Sequence, residues 1–239
     1  MIFIIPCKYN PHCKIVETVE SIFKYHPTAD VFVVDSDSED KSYFDKLPTK
    51  TKILDEANKY YEPGALWRVT SRFYDTHYIL VQDSMVFKKS ITDIVEKTDT
   101  MKCFINFYER TDRNHMGVPR EKYMDAIHRM MGTTPELGLG DEDYGFVGVF
   151  GSSFIISRDF LVKISNSGLF ENLAPTNKFE HQIAERVFGI SALDNGVDLL
   201  QNTIIGNLHE LMAGPGFDRI TETLHTDIFD KTWNNKHRQ

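Results

Sequence analysis

Cysteine is scarce in this chain of 239 residues, with three in all, at Cys7, Cys13 and Cys103. A sparse, odd set excludes a disulfide framework and fits a reducing compartment. Cys7 and Cys13 lack the usual zinc-site spacing, and no second pair is present to complete one. All three therefore read as small, mostly buried apolar residues, and no Cys–His pairing points to a catalytic thiol. Long apolar runs are absent too: nothing approaches the roughly 18 residues of a membrane-spanning helix. The opening Met1-Ile-Phe-Ile-Ile-Pro-Cys-Lys8 has no basic leader and its apolar run halts at Pro6. It is expected to be structure and not a signal peptide, in a soluble, cytoplasmic protein. Positive charge is in deficit, with 27 Lys and Arg against 35 Asp and Glu and a net charge of −8. That balance argues against a nucleic-acid binder, which needs a basic face. It leaves room for a nucleotide ligand, because a metal neutralises a diphosphate locally. Repeats, low-complexity tracts and linkers are missing, so one domain is expected over residues 1–239.

What the chain does have is two acidic turns, each at the exit of an apolar run. One is Val31-Phe-Val-Val-Asp-Ser-Asp-Ser-Glu-Asp40 and the other Tyr78-Ile-Leu-Val-Gln-Asp-Ser84. Ile2–Pro6 is continuously apolar, as suits a strand covered on both faces. Ile15, Val19, Ile22 and Phe23 recur at helical spacing over 14–25, and Pro27 stops that helix. Strands are predicted at 31–34, 52–54, 78–81 and 101–107, with 84–87 continuing past the one at 78–81. Glu62-Pro-Gly64 reads as a turn and 65–74 as a helix. The alternation β-α-β, β-α-β, β predicts an α/β fold with a central, mostly parallel sheet flanked by helices. Further on, helices are predicted at 120–131, 159–164 and 177–188, the last with Asn177 as N-cap. Leu137–Gly145 reads as a glycine- and acid-rich loop, and 153–156 as a strand.

Ligands of open α/β sheets bind beyond the carboxyl ends of the strands. Acids at two neighbouring strand ends are therefore candidates to hold a ribose and the metal on a diphosphate. The order of Pro6-Cys-Lys-Tyr-Asn10, Val33-Val-Asp-Ser-Asp-Ser38, Gly64-Ala-Leu-Trp-Arg68 and Leu80-Val-Gln-Asp-Ser84 resembles a GT-A glycosyltransferase of the family-2-like, nucleotide-sugar-dependent kind. The likeness is clearest over residues 1–90 and looser at 148–157 and 179–190.

The resemblance implies a Rossmann-like GT-A domain, with residues 1–110 as the nucleotide-sugar-binding half and 111–239 as the acceptor-binding half. It implies transfer of a hexosyl or pentosyl group from a UDP- or GDP-sugar to a hydroxyl of a glycan or glycoconjugate, with inversion preferred over retention. Donor-binding candidates are Pro6, Tyr9, Asp35, Asp37, Arg68 and Asp83. Asp35 and Asp37 stand where the family bonds base or ribose; the alternative is an Asx turn bonding its own backbone. Tyr9 is a stacking candidate for the base, or a loop aromatic packed on the core. Arg68 is a diphosphate candidate, or a surface charge. Gln82-Asp83-Ser84 stands where the family has Asp-X-Asp and keeps one carboxylate, so Mn²⁺ or Mg²⁺ is the implied cofactor with Asp83 and, late in the chain, His209 as its ligands. His225 is a weaker choice for that position. For the base that takes the acceptor's proton, Glu180 in Phe179-Glu-His181 matches the family's acidic motif before a helix. Glu185 and Asp143 (with Asp141) are its rivals. Gly145–Gly151 resembles the family's glycine loop, where Gly148 and Gly151 let the backbone approach the sugar. Trp67 and Trp233 are sugar-stacking candidates or core. Two alternatives remain. One is a sugar-1-phosphate nucleotidyltransferase, disfavoured because no glycine follows the first strand. The other is a non-catalytic carbohydrate- or nucleotide-binding protein on the same fold.

Overall fold

The first apolar run forms strand β1, Ile2–Cys7, and alternate side chains enter opposite cores: Ile2 and Ile4 face one, Phe3, Ile5 and Cys7 the other. The structure is a computed structural model, which describes residues 1–110, 116–132 and 145–233. After β1 come α1 (Ile15–Tyr25), β2 (Asp30–Asp35), β3 (Lys52–Leu54), α2 (Tyr61–Thr70), β4 (His77–Leu80), β5 (Met85–Phe87), α3 (Thr92–Glu96) and β6 (Met101–Arg110). The chain continues with α4 (Arg120–Met131), β7 (Gly145–Val149), β8 (Phe154–Ser157), α5 (Arg158–Ser165), α6 (Leu169–Asn172), α7 (Lys178–Asp194), β9 (Thr203–Asn207) and α8 (Leu208–Ala213). Three short strands close it: β10 (Phe217–Asp218), β11 (Thr223–His225) and β12 (Phe229–Thr232).

The main sheet has the order β3-β2-β1-β4-β8-β6-β7, with β9 on β6. Pairing is parallel through β3, β2, β1 and β4 and between β6 and β9, while β8 opposes β4 and β6, and β7 opposes β6. Only β7 and β8 therefore run against the rest, and the expected mostly parallel α/β sheet is what the chain forms. Cys103 pairs with β8 on one edge and β9 on the other, and Asn106 with β7 and β9 in the same way. So β7 and β8 lie along one edge of β6 as a single strand broken at Phe150–Ser152. There Gly151 and Ser152 both take positive φ. Helices α2, α4, α5 and α7 supply one core, and α1 with the second, antiparallel sheet β10-β11-β12-β5 the other.

Several elements depart from the sequence expectation. Glu62-Pro-Gly64 is the first turn of α2 and not a turn before it. Pro63 is tolerated because amide groups in a helix's first turn have no intrahelical acceptor. Residues 84–87 do not extend the fourth strand; Met85–Phe87 joins the second sheet. Most of the expected glycine loop is strand β7, since Gly148 leaves room for the Phe107 ring, which a Cβ there would strike. Helix α7 runs to Asp194, and Gly189 lets it press onto the carbonyl of Val147. Helix α4 spans the predicted 120–131.

Candidate functional site

Parallel pairing puts the carboxyl ends of β1, β2 and β4 on one edge of the sheet, with Cys7 opposite Asp35 and Ile4 opposite Leu80. A cleft of about 550 Å3 opens there, lined by Pro6, Lys8, Asp37, Lys59, Glu62 and Asp83 among others. The two acidic turns thus meet at one place, but not through the residues singled out equally.

Asp35 is fully buried. Its Oδ2 accepts from the Ser38 amide at 3.0 Å and its Oδ1 from the Tyr43 hydroxyl at 2.8 Å. The carboxylate ties its own turn together, and Ser36 and Asp37 reach the cleft instead. Asp37 holds φ +62°, a backbone region uncommon outside glycine, which aspartate tolerates better than most residues. Tyr9 stacks on Tyr43 with ring centroids 4.8 Å apart, and its amide donates to Ser38 Oγ at 2.8 Å. Arg68 donates to Glu56 at 2.9 Å and does not line the cleft. Trp67 lies against Phe170, and Trp233 between Phe150 and Phe217.

Asp83 follows β4 and stands in the cleft wall. Burial pushes its carboxyl up to about 7, helped by the neighbouring Cys13. The Cys7 and Cys13 sulfurs and an Asp83 oxygen all lie within 4.8 Å of one another. Spacing in the sequence concealed this cluster, since Cys7 ends a strand and Cys13 precedes α1. The hydrogen bond between the thiols lowers Cys13 to about 6 and raises Cys7 well above a thiol's usual range, so the proton stays on Cys7. The residues flanking Asp83 are engaged by a cation of the chain itself. Buried Lys231, on β12, donates from Nζ to Gln82 Oε1 and, at 3.2 Å, to Ser84 Oγ. Burial lowers that lysine to about 8. The two oxygens needed beside Asp83 by a hard, oxygen-seeking ion thus hold an ammonium, and the carboxylate faces sulfur. Mn²⁺ and Mg²⁺ do not fit this donor set. The His209 amide donates to Asn207 at 3.0 Å at the start of α8, and among the described residues no cluster of three ligand atoms includes His209. His225 bonds Asp230 at 2.9 Å on the second sheet.

Below the cleft lies a buried network that the sequence did not announce. Glu62 Oε2 and His181 Nε2 are 2.6 Å apart as an ion pair, at an angle outside hydrogen-bond geometry, and Tyr61 stacks on the imidazole at 4.7 Å. Burial alone raises Glu62, but the imidazolium outweighs it and holds the carboxyl at about 2. Burial alone lowers His181, and Glu62 outweighs that in turn, leaving it above its usual value. Glu185 is buried beside them, accepting from the Gly151 amide at 2.9 Å and from Arg186 at 3.0 Å, and burial raises its pKa. Arg186 also donates to Glu109 at 2.8 Å. In the sequence Glu180 and Glu185 stood only as rivals for one carboxylate base, with His181 noted as part of the Phe179-Glu-His181 motif.

Glu180 lies outside the cleft, in a neighbouring open groove of about 700 Å3 between α4 and the start of α7, with Lys122, Asp125, Arg129 and Phe179. Its Oε2 accepts from the amide and hydroxyl of Thr176, both at 2.7 Å, and its Oε1 from Arg129 at 2.6 Å. Asn177 Oδ1 accepts from the Glu180 amide at 3.0 Å, capping the start of α7. Thr176 lines the cleft and the next residue, Asn177, lines the groove, so the two lie side by side there. Asp141 and Asp143 lie outside the described residues.

No family model matches the chain, and no curated protein does. Among solved structures it is similar to S. aureus TarS 1–349, at 16% identity and TM-score 0.43 over 78% of this chain and 54% of that one. It thus spans about half the length of that protein. It is also similar to core-mannan synthase A (CmsA/Ktr4) from Aspergillus fumigatus in its Mn/GDP form, at 10% identity and TM-score 0.49 over 84% of this chain and 71% of that one. A third likeness is to CMP:2-keto-3-deoxy-manno-octonic acid synthetase complexed with CTP, at 11% identity and TM-score 0.45 over 86% and 89%. Likenesses this distant carry no weight on activity. The class that the coordinates themselves define is a mixed α/β protein with a charged cleft at the carboxyl edge of its parallel strands.

Proposed function

We propose that the chain is a GT-A-like glycosyltransferase that moves a sugar from a UDP- or GDP-sugar to a hydroxyl of a glycan. The supporting observation is the cleft at the ends of β1, β2 and β4, where Lys8 and Lys59 stand with Asp37 and Asp83. Ammonium groups suit the two phosphates of the donor, and a carboxylate accepts hydrogen bonds from the paired ribose hydroxyls. On this reading Asp37, and not Asp35, meets the ribose, and the groove beyond Thr176 receives the acceptor. In the transfer the acceptor oxygen bonds the anomeric carbon as the bond to the diphosphate breaks, the diphosphate leaving with the bonding pair and the hydroxyl proton passing to a base or to water. Charge builds on the leaving phosphate, and preorganised cations at that position contribute most to rate. Lys8 and Lys59 take that role at the cleft, with Lys231 fixing Gln82 and Ser84 beneath it. Glu180 and Glu185 already accept two or more hydrogen bonds each. Neither takes the acceptor's proton without first releasing a partner.

The test is a thermal-shift and calorimetric screen of nucleoside diphosphates, since a ligand specific to the native state raises its melting point. UDP or GDP is expected to bind wild type, and Asp37→Asn, which keeps a residue suited to the positive φ, and Lys59→Ala to weaken binding at unchanged melting temperature. Asp35→Ala should instead lower the melting temperature, because the Ser38 amide and Tyr43 hydroxyl lose their acceptor, at about 1–3 kcal/mol. Absence of binding by every nucleoside diphosphate overturns the proposal.

A further inference from the structure

We infer that Cys7, Cys13 and Asp83 form a site for one thiophilic divalent metal, with Zn²⁺ the best match. The three side chains come from separate places: the last residue of β1, the turn closed by the Cys13 amide on the Asn10 carbonyl at 3.0 Å, and the exit of β4. Parallel pairing of β1 with β4, and α1 packed behind both, bring them together. Both cysteines are free thiols. Their ligating atoms and that of Asp83 lie within 4.8 Å of one another. Tetrahedral zinc, with Zn–S of about 2.3 Å and Zn–O of about 2.0 Å, sets ligand atoms roughly 3.5–3.8 Å apart, so a small contraction closes the site. Sulfur donors favour Zn²⁺ over Mg²⁺ or Mn²⁺. The chain has also removed the hard alternative, since Gln82 Oε1 and Ser84 Oγ bond Lys231. Among the described residues no cation forms an ion pair with Asp83, although its neighbours Glu62 and Glu185 have one each.

Three protein ligands leave a fourth position, which is the arrangement of a zinc ion that binds substrate. Of the three only Asp83 lines the cleft, so a fourth ligand drawn from the cleft would enter on its side. A phosphate oxygen of the donor as fourth ligand rests on the function proposed above; the metal site itself does not.

Co²⁺ added to the reduced full-length chain tests the site, because cobalt–thiolate charge transfer reports sulfur ligation directly. One equivalent is expected to give near-ultraviolet thiolate bands with intense tetrahedral visible bands, and Zn²⁺ to bleach both. Cys7→Ser and Cys13→Ser should each abolish the thiolate bands, and Asp83→Asn should weaken cobalt affinity at least tenfold. As a check that needs no variant to fold, Zn²⁺ should protect Cys13 of the wild type from alkylation, read by mass spectrometry. A wild-type spectrum without thiolate bands, bands that survive both serine substitutions, or alkylation unaffected by Zn²⁺ overturns the assignment. UDP should perturb the visible bands; bands blind to UDP remove the phosphate as fourth ligand while the thiolate bands still report the metal.

Discussion

Glu62 and His181 show how much of this molecule is decided one contact at a time. Both are almost wholly buried, and each is kept charged by the other. The pH dependence follows in sign. Glu62 is held at about 2 against an ordinary 4.5, so its share of stability is present above 4.5 and is lost as pH falls through 2. His181 is raised above 6.5, so its share is complete below 6.5 and is lost as pH rises through the raised value. Urea midpoints are therefore expected to be highest for this pair between pH 4.5 and 6.5. His181→Gln should remove the alkaline fall as well as lowering the midpoint; curves of the same shape for both proteins would refute the coupling. None of this was legible in the sequence. His181 was seen there only as the neighbour of Glu180, whereas its partner lies more than a hundred residues earlier in the chain.

Helix α7 is the element that walls the groove beside the cleft. Its start was readable, because Asn177 followed three residues later by Glu180 is a capping pattern visible in one dimension. What that pattern meant was less plain. In the structure the Glu180 carboxylate accepts from Thr176 and Arg129. Asn177→Ala is expected to lower stability by about 1 kcal/mol, the usual worth of a cap, measured by chemical denaturation. Gly189→Ala acts on the same helix from its other face. A methyl there meets the Val147 carbonyl, so α7 must lift from β7, at about 1–3 kcal/mol for overpacking. If Gly189→Ala is as stable as wild type, the close approach of α7 to β7 is not as described. The strand β7 itself was read as a loop because its glycines mimic turn signals; Gly148 makes room for the Phe107 ring and Gly145 for the Tyr108 ring.

At the scale of the whole molecule, β12 completes the site that β1, β2 and β4 begin. β12 pairs with β5, seats Phe229 against Phe87 and Phe104 at 6.3 and 5.7 Å, and carries Lys231 to Gln82 and Ser84. Phe229→Ala is expected to destabilise by about 3–5 kcal/mol, as for other buried phenylalanines, and to reduce nucleoside diphosphate affinity together with it. Unchanged affinity in a folded Phe229→Ala protein would show that the tail does not support the cleft.

Amino-acid order alone determined the parallel half of the sheet, helix α1 and the edge where a ligand cleft lies. Those are local properties: apolar runs, helical spacing and turn residues act over a few positions, and strand polarity then puts the acidic turns on one side. Tertiary structure decided the rest. It turned Asp35 inward and Asp37 outward, brought Cys13 and Cys7 to Asp83, and placed Lys231 where a hard metal ion was expected. Such pairings are between residues far apart in the chain, and they are selected by the burial of charge and the fit of whole elements, which no short stretch of sequence encodes.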